Sequence, residues 1–307
     1  MLSAELAAQL IPDYSSALRP LKAACQDANA KLSQYSYVGS AYKDLQPTFS
    51  TYFGSANAKV KQLYSEGKLK SSVVQHDSAA DDPHHAHLSC ARTGASKSGM
   101  MEVFGAAGAS CCHGFPGEDT FLDMPTPEQF AFHDVIFETL QDDRDIMDHY
   151  LDFNCKFSAH RRNNTPTGSS EGRGPRHLVP WMHARSHGQA CYGRNCAMFH
   201  TAAARRVGEQ MEQVWAFAKC WAGICRYMAG PNRHDFLDDA FGYVAETKAA
   251  GFPRLLADIY SNTRKKLSEL LLAPPAALML LAALGGTVLP GLVPMAGPVP
   301  VGQPCLL

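Results

Sequence analysis

Apolar residues recur at helical spacing most clearly after Val207, where Val207, Met211, Val214, Ala218, Trp221 and Cys225 follow a 3.6-residue repeat. The stripe predicts one helix from Val207, ended by Gly230-Pro231, with further helices over 235–247 and 253–272. Glu209 and Glu212 sit off the stripe on one neighbouring face, three residues apart. Weaker stripes (Leu6, Leu10 and Ile11, then Ala56, Val60, Leu63 and Tyr64) make 1–70 read as a helical or poorly ordered extension.

The middle of the chain alternates instead. Met101 to Cys112 is small and apolar and breaks at His113-Gly114-Phe115-Pro116, which predicts a buried strand ending in a tight turn. Thr126-Pro127-Glu128 then has the cap, the first-turn proline and the acid that open a helix. From Ile146 to Phe157 two faces alternate, predicting a strand that carries Asp152 in an aromatic, β-prone setting where Asp is disfavoured. The alternatives for Asp152 are the wet face of an edge strand and a metal-binding carboxylate. Residues 158–177 read as a basic loop rich in Gly, Ser and Pro, followed by a short strand at Leu178 to Met182.

Charge changes this picture through its distribution. Lys plus Arg is 28 against 29 Asp plus Glu, so the sum points to no polyanionic or acidic partner. Yet Glu118 to Asp152 holds eleven acids and one base, and Asn154 to Val207 nine bases and one acid. An acidic block followed by a basic one suits metal ions and a polyanion, although either block alone is usually a solvated face. Ten cysteines without regular spacing, behind an N-terminus lacking a signal-peptide layout, predict reduced thiols and an intracellular protein. From Leu271 to Leu307 no charged residue occurs, but Pro274, Pro275, Pro290 and Pro294 interrupt the roughly 20 residues that a membrane span needs. The expectation there is an apolar, Pro/Gly-rich disordered tail over 273–307 and no membrane partner.

Two other groups could bind metal. Residues 71–99 read as a polar loop with His76, His84, His85, His87 and Cys90 at irregular spacing. His183, His187 and Cys191 stand four residues apart, which on one helix would stack them on a single face as zinc ligands, with Cys155 or Cys196 as the fourth. The rival reading is ordinary structural side chains.

The runs VPWMHARSHGQAC, RRVGEQMEQVWAFAKC and RYMAGPNRHDFLDDAFGYVAETK, preceded by CCHGFP and DHYLDFNCKFSAH, resemble the core of the Kyakuja-Dileera-Zisupton (KDZ) transposases over about 90–248. The resemblance implies an α/β, ribonuclease H-like core over 100–250, here incomplete, with mainly helical flanks and a C-terminal helix over 251–272. It also implies a DDE-type enzyme that cleaves and transfers DNA strands with Mg2+ or Mn2+. Asp152 corresponds to the second catalytic Asp, and Glu209 or Glu212 to the Glu, Glu209 being favoured because it follows Gly208 at the helix start. The first Asp should lie on a strand before the Cys90 region, and Asp77, after Ser72-Val73-Val74-Gln75-His76, is the candidate. Arg161, Arg162, Arg173, Arg176, Arg205 and Arg206 would contact DNA phosphates. Transposon ends and target DNA are the implied partners, with a homo-oligomer as a further one, in the nucleus. Two alternatives are an inactive, truncated remnant that binds DNA and a zinc-structured interaction protein without DNA affinity.

Overall fold

The computed structural model describes residues 23–39, 46–48, 50–69, 99–143, 146–164, 174–200, 203 and 207–271. The chain divides into two compact units, 21–250 and 1–20 with 251–307. Of the second unit the described part is 251–271, the C-terminal portion of a helix. The predicted stripe at Leu6 to Ile11, the His-rich loop with Asp77, and the apolar tail over 273–307 lie outside the described residues.

In the unit 21–250, strand β1 (Ala23–Asn29) is followed by β2 (Gln34–Tyr35), α1 (Ser55–Ser65), β3 (Met101–Val103), β4 (Gly105–Cys111) and β5 (Leu122–Met124). Then come α2 (Phe130–Asp143), β6 (Asp148–Tyr150), α3 (Asn154–Asn164), β7 (Arg176–Leu178), α4 (Trp181–Ala184), α5 (Gln189–Asn195), α6 (Gln210–Ala218) and α7 (Ala222–Cys225). The long helix α8 (Gly230–Leu271) begins here. Five strands form a mixed sheet in the order β5-β4-β1-β6-β7. β4 runs against both of its neighbours, while β1, β6 and β7 are parallel. β2 and β3 make a separate antiparallel pair.

The reading of 1–70 as a helical extension is corrected at its centre, because Ala23 to Asn29 is the middle strand of the sheet. β1 and β4 are built from Ala, Gly, Cys and short polar residues, with none of the β-branched or aromatic side chains that mark a strand in sequence. Small residues are what a strand covered on both faces by bulky neighbours requires. On one face Ala23, Cys25 and Ala106 meet Phe121, Tyr150, Trp215, Leu237 and Phe241, and on the other Ala24, Ala107 and Ala109 meet Val60, Phe132, Val135, Ile136 and Leu140. A Cβ on Gly108 would lie 2.5 Å from the Phe121 ring, so the strand must be bare there. Burying a ring such as Phe121 contributes about 2–3 kcal/mol.

Other boundaries move as well. The helix predicted from Pro127 starts at Phe130. The strand expected over 146–157 keeps only Asp148 to Tyr150; Asp152 sits in the turn after it, and α3 takes up the first part of the expected loop. The predicted strand at Leu178 to Met182 is instead the end of β7 and the start of α4. Gly230-Pro231 opens α8 rather than ending the previous helix, since a proline in the first turn gives up an N–H that has no helical partner. The two helices expected over 235–247 and 253–272 are one helix with Pro253 inside.

Candidate functional site

Parallel pairing of β1 with β6 sets Ala23 opposite Asp148 and Cys25 opposite Tyr150. Two residues further along each chain come Asp27 and Asp152. On β1 the side-chain period of two puts Asp27 on the face that holds Cys25 and Tyr150, and Asp152, in the turn after β6, lies near enough for its charge to act on the Asp27 carboxyl. The same face is covered by α6, whose first residue Gln210 accepts a hydrogen bond from the Cys25 thiol at 3.2 Å. One residue before Gln210 is Glu209. Sheet register and helix docking thus bring three acids from distant parts of the chain to one end of the sheet.

Gly208 makes the approach of α6 feasible. Its φ of +79° lies in the left-handed region, and a Cβ there would stand 2.4 Å from the Tyr150 ring. Glu209 then caps a neighbouring helix instead of its own. Its Oε1 accepts from the Met182 N–H at 2.7 Å, and the Val207 carbonyl accepts from the Trp181 N–H at 2.9 Å, satisfying two first-turn donors of α4.

His183 occupies the middle of the cluster. Its Nδ1 lies 2.9 Å from Glu209 Oε2, its Nε2 lies 3.0 Å from Asp152 Oδ2, and Glu212 Oε1 is 3.7 Å from the same Nε2. Burial alone would lower the His183 pKa, but hydrogen bonds and charge from Asp152 and Glu209 outweigh it and push it up to about 11. Both ring nitrogens then donate, and the imidazolium places a positive charge among these acids. Burial, followed by the charges of Asp152, Glu128 and Glu212, raises the Asp27 carboxyl well above its ordinary range. Asp152 is raised by burial and by Glu209 and Glu128 against the pull of His183. Glu212 is raised by burial and by Asp152, again opposed by His183. Carboxylates that disfavour one another's ionisation in a recess make a donor set suited to a hard divalent cation. Asp152, His183 and Glu212 bring polar atoms within 4.8 Å of one another, and with the ring protonated the two carboxylates are the ligands this group offers.

Behind the acids, on the opposite face of β1, Gln26 fixes the sheet. Its Oε1 accepts from His149 Nε2 at 2.8 Å, and its Nε2 donates to the His133 carbonyl at 3.1 Å. Asn154 Nδ2 donates to the carbonyls of His149 and Leu178 at 2.6 and 3.0 Å. Burial and the neighbouring His177 keep His149 well below its ordinary pKa, so a neutral, fully bonded layer braces the strand ends.

The expected zinc trio divides. α4 ends at Ala184 and α5 begins at Gln189, so no continuous helix stacks His183, His187 and Cys191. His183 turns to the acids, whereas His187 and Cys191 face Cys155, with His187 Nδ1 3.7 Å from Cys155 Sγ and 3.3 Å from Cys191 Sγ. Among the expected phosphate-binding arginines, Arg162 is exposed on α3. Arg161 pairs with Asp134 and Glu138, each at 3.2 Å, and Arg176 donates to Asp148 at 2.7 Å, so both carry ion pairs within the chain. Arg173, Arg205 and Arg206 lie outside the described residues, as does Asp77. Trp215 is buried against Phe121 and Phe241.

Asp27 is the site residue that sequence patterning missed. Its strand lacks any periodic apolar signal, and a carboxylate in the run Ala23-Ala24-Cys25-Gln26-Asp27-Ala28-Asn29 gains meaning only when β6 is laid beside it.

A family model described as Kyakuja-Dileera-Zisupton transposase matches residues 22–244, a stretch that opens just before β1. No curated protein and no solved structure matches the chain. Among the described residues, no helix is long and apolar enough to cross a membrane.

Proposed function

Because the chain belongs to the Kyakuja-Dileera-Zisupton transposase family, we propose that it is a metal-dependent DNA strand-cleaving and strand-transferring transposase core. In this reading Asp27, Asp152 and Glu209 form the acidic triad. The observation that carries it is the convergence of Asp27 and Asp152 at the ends of adjacent parallel strands with Glu209 at the start of the helix covering them. A five-stranded sheet with β4 as its reversed member and helices on both faces supports a ribonuclease H-like fold.

The residues fit Mg2+ or Mn2+ by donor chemistry, since oxygen ligands of like charge are crowded where a cation lowers the cost of ionising them together. Two such ions, when bound, would activate the attacking water or 3′-hydroxyl and stabilise the leaving oxygen of a phosphodiester. Asp27 and Asp152 are held by the sheet, and Glu209 is held by the positive φ of Gly208 and by α4. His183 keeps a proton between Asp152 and Glu209 and orients both carboxylates. Glu212, half exposed in the first turn of α6, stands where it can serve as an outer ligand. Exposed Arg162 is available to the phosphate backbone of transposon ends and target DNA in the nucleus.

Asp27 beside Asp152 favours this reading over the inactive remnant that only binds DNA. The test is cleavage and joining of terminal-repeat DNA with Mg2+, comparing wild type with Asp27→Ala, Asp152→Ala and Glu209→Ala. Loss of turnover in all three variants, with DNA binding retained, is expected. Equal turnover in all four proteins would remove the assigned roles, and salt-sensitive binding by a wild type that cleaves nothing would favour the remnant.

A further inference from the structure

Outside the acidic cluster, Cys155, His187 and Cys191 offer one ligand atom each, all within 4.8 Å of one another. They come from three places: the first turn of α3, the loop between α4 and α5, and the buried face of α5. A tetrahedral zinc ion with Zn–S of about 2.3 Å and Zn–N of about 2.0–2.1 Å sets neighbouring ligand atoms roughly 3.5–3.8 Å apart. The His187 Nδ1 to sulfur distances of 3.7 and 3.3 Å lie close to that spacing. Soft thiolates with an imidazole are the donor set of zinc rather than of magnesium, so this group and the acids are chemically distinct. Asn195 Nδ2 donates to Cys191 Sγ at 3.3 Å, the outer hydrogen bond that orients a ligating sulfur.

We propose that Cys155, His187 and Cys191 bind one zinc ion, with the fourth position taken by water. The site clamps α3 to the α4–α5 segment. Cys155 lies three residues after Asp152, and His187 lies four residues after His183, so the clamp holds both sides of the Asp152–His183 contact. Zinc here is a positioning element for the acidic site and takes no part in phosphodiester chemistry.

The experiment uses the full chain purified under reducing conditions, with zinc measured by elemental analysis and cobalt(II) titration followed by absorbance. About one tightly bound zinc per chain is expected, lost in Cys155→Ser and in Cys191→Ser and retained in Asp152→Ala. Cobalt should give thiolate-to-metal charge-transfer bands and an intense tetrahedral d–d spectrum. Because the serine variants could fail to fold, the wild-type cobalt spectrum is an independent arm. Three results would overturn the proposal: zinc well below one per chain, zinc unchanged in both folded serine variants, or a cobalt spectrum without thiolate bands. A Cys155–Cys191 disulfide found by mass mapping in place of metal would overturn it too.

Discussion

Asp27, two residues beyond Cys25 on β1, lies close to Asp152, two residues beyond Tyr150 in the turn that follows β6. The charge of Asp152 contributes to the raised pKa of Asp27, after burial. Removing one charge should relieve that repulsion in metal-free protein. Asp27→Asn is expected to match or exceed the wild-type melting temperature without divalent ions and to lose most of the stabilisation that Mg2+ gives the wild type. Calorimetry with and without Mg2+ checks this, and an unchanged Mg2+ effect would exclude Asp27 as a ligand.

The His183 pKa, near 6.5 when unfolded and about 11 when folded, makes stability fall with rising pH. The contribution is complete below about pH 6.5 and is lost as pH rises toward 11. Metal-free wild type should therefore lose more stability between pH 7 and pH 10 than His183→Gln does. Chemical denaturation across that range is the measurement, and parallel slopes for the two proteins would contradict the imidazolium.

Gly208 and Gly223 offer a matched pair of substitutions. Gly208→Ala meets the Tyr150 ring and a φ of +79°, whereas nothing lies within 4 Å of a Cβ on Gly223 in α7. Gly208→Ala should cost about 1–3 kcal/mol from the backbone alone and displace Glu209. Gly223→Ala should be neutral or stabilise by about 0.4–1 kcal/mol. Urea unfolding of both variants decides, and equal effects would refute the steric account.

Arg233 is fully buried and donates to Asp123 and to the Leu32 carbonyl, while His234 holds the other Asp123 oxygen. These charges keep the Asp123 carboxyl far below its ordinary pKa despite burial, which alone would raise it. Arg233→Met leaves a buried carboxylate short of its main partner and should cost about 3–5 kcal/mol. Pairing it with Asp123→Asn should recover part of that loss in a double-mutant cycle.

Arg161 and Arg162 are adjacent on α3 but should differ in kind. Arg161→Ala removes ion pairs to Asp134 and Glu138 and lies over the Phe137 ring, so it should lower the melting temperature. Arg162→Ala should leave stability unchanged and reduce the salt slope of DNA affinity by about one. Identical salt slopes for wild type and Arg162→Ala would place the DNA elsewhere.

The α6 stripe was legible because it packs one face of a helix on a core: Met211, Val214 and Ala218 are buried. So in part was Met101 to Cys112, whose small apolar run becomes β3, paired separately with β2, and, after Phe104, the buried strand β4. Asp152 and Glu209 stood out through local context, an acid after a β-prone run and an acid after a glycine at a helix start. Asp27 did not, since a short strand made of small residues has no periodic signature. Local pattern also joined His183, His187 and Cys191 into one helix that the chain breaks at Ala184.

By itself, then, the sequence determined the α/β composition, the helix that Glu209 precedes and the short β-prone run before Asp152, because these follow from spacing within a few residues. Only the tertiary structure decided which acids meet and which histidine joins them. Those choices depend on strand register between β1 and β6, whose paired residues Cys25 and Tyr150 are 125 residues apart in sequence, and on side chains that touch only after the sheet has formed.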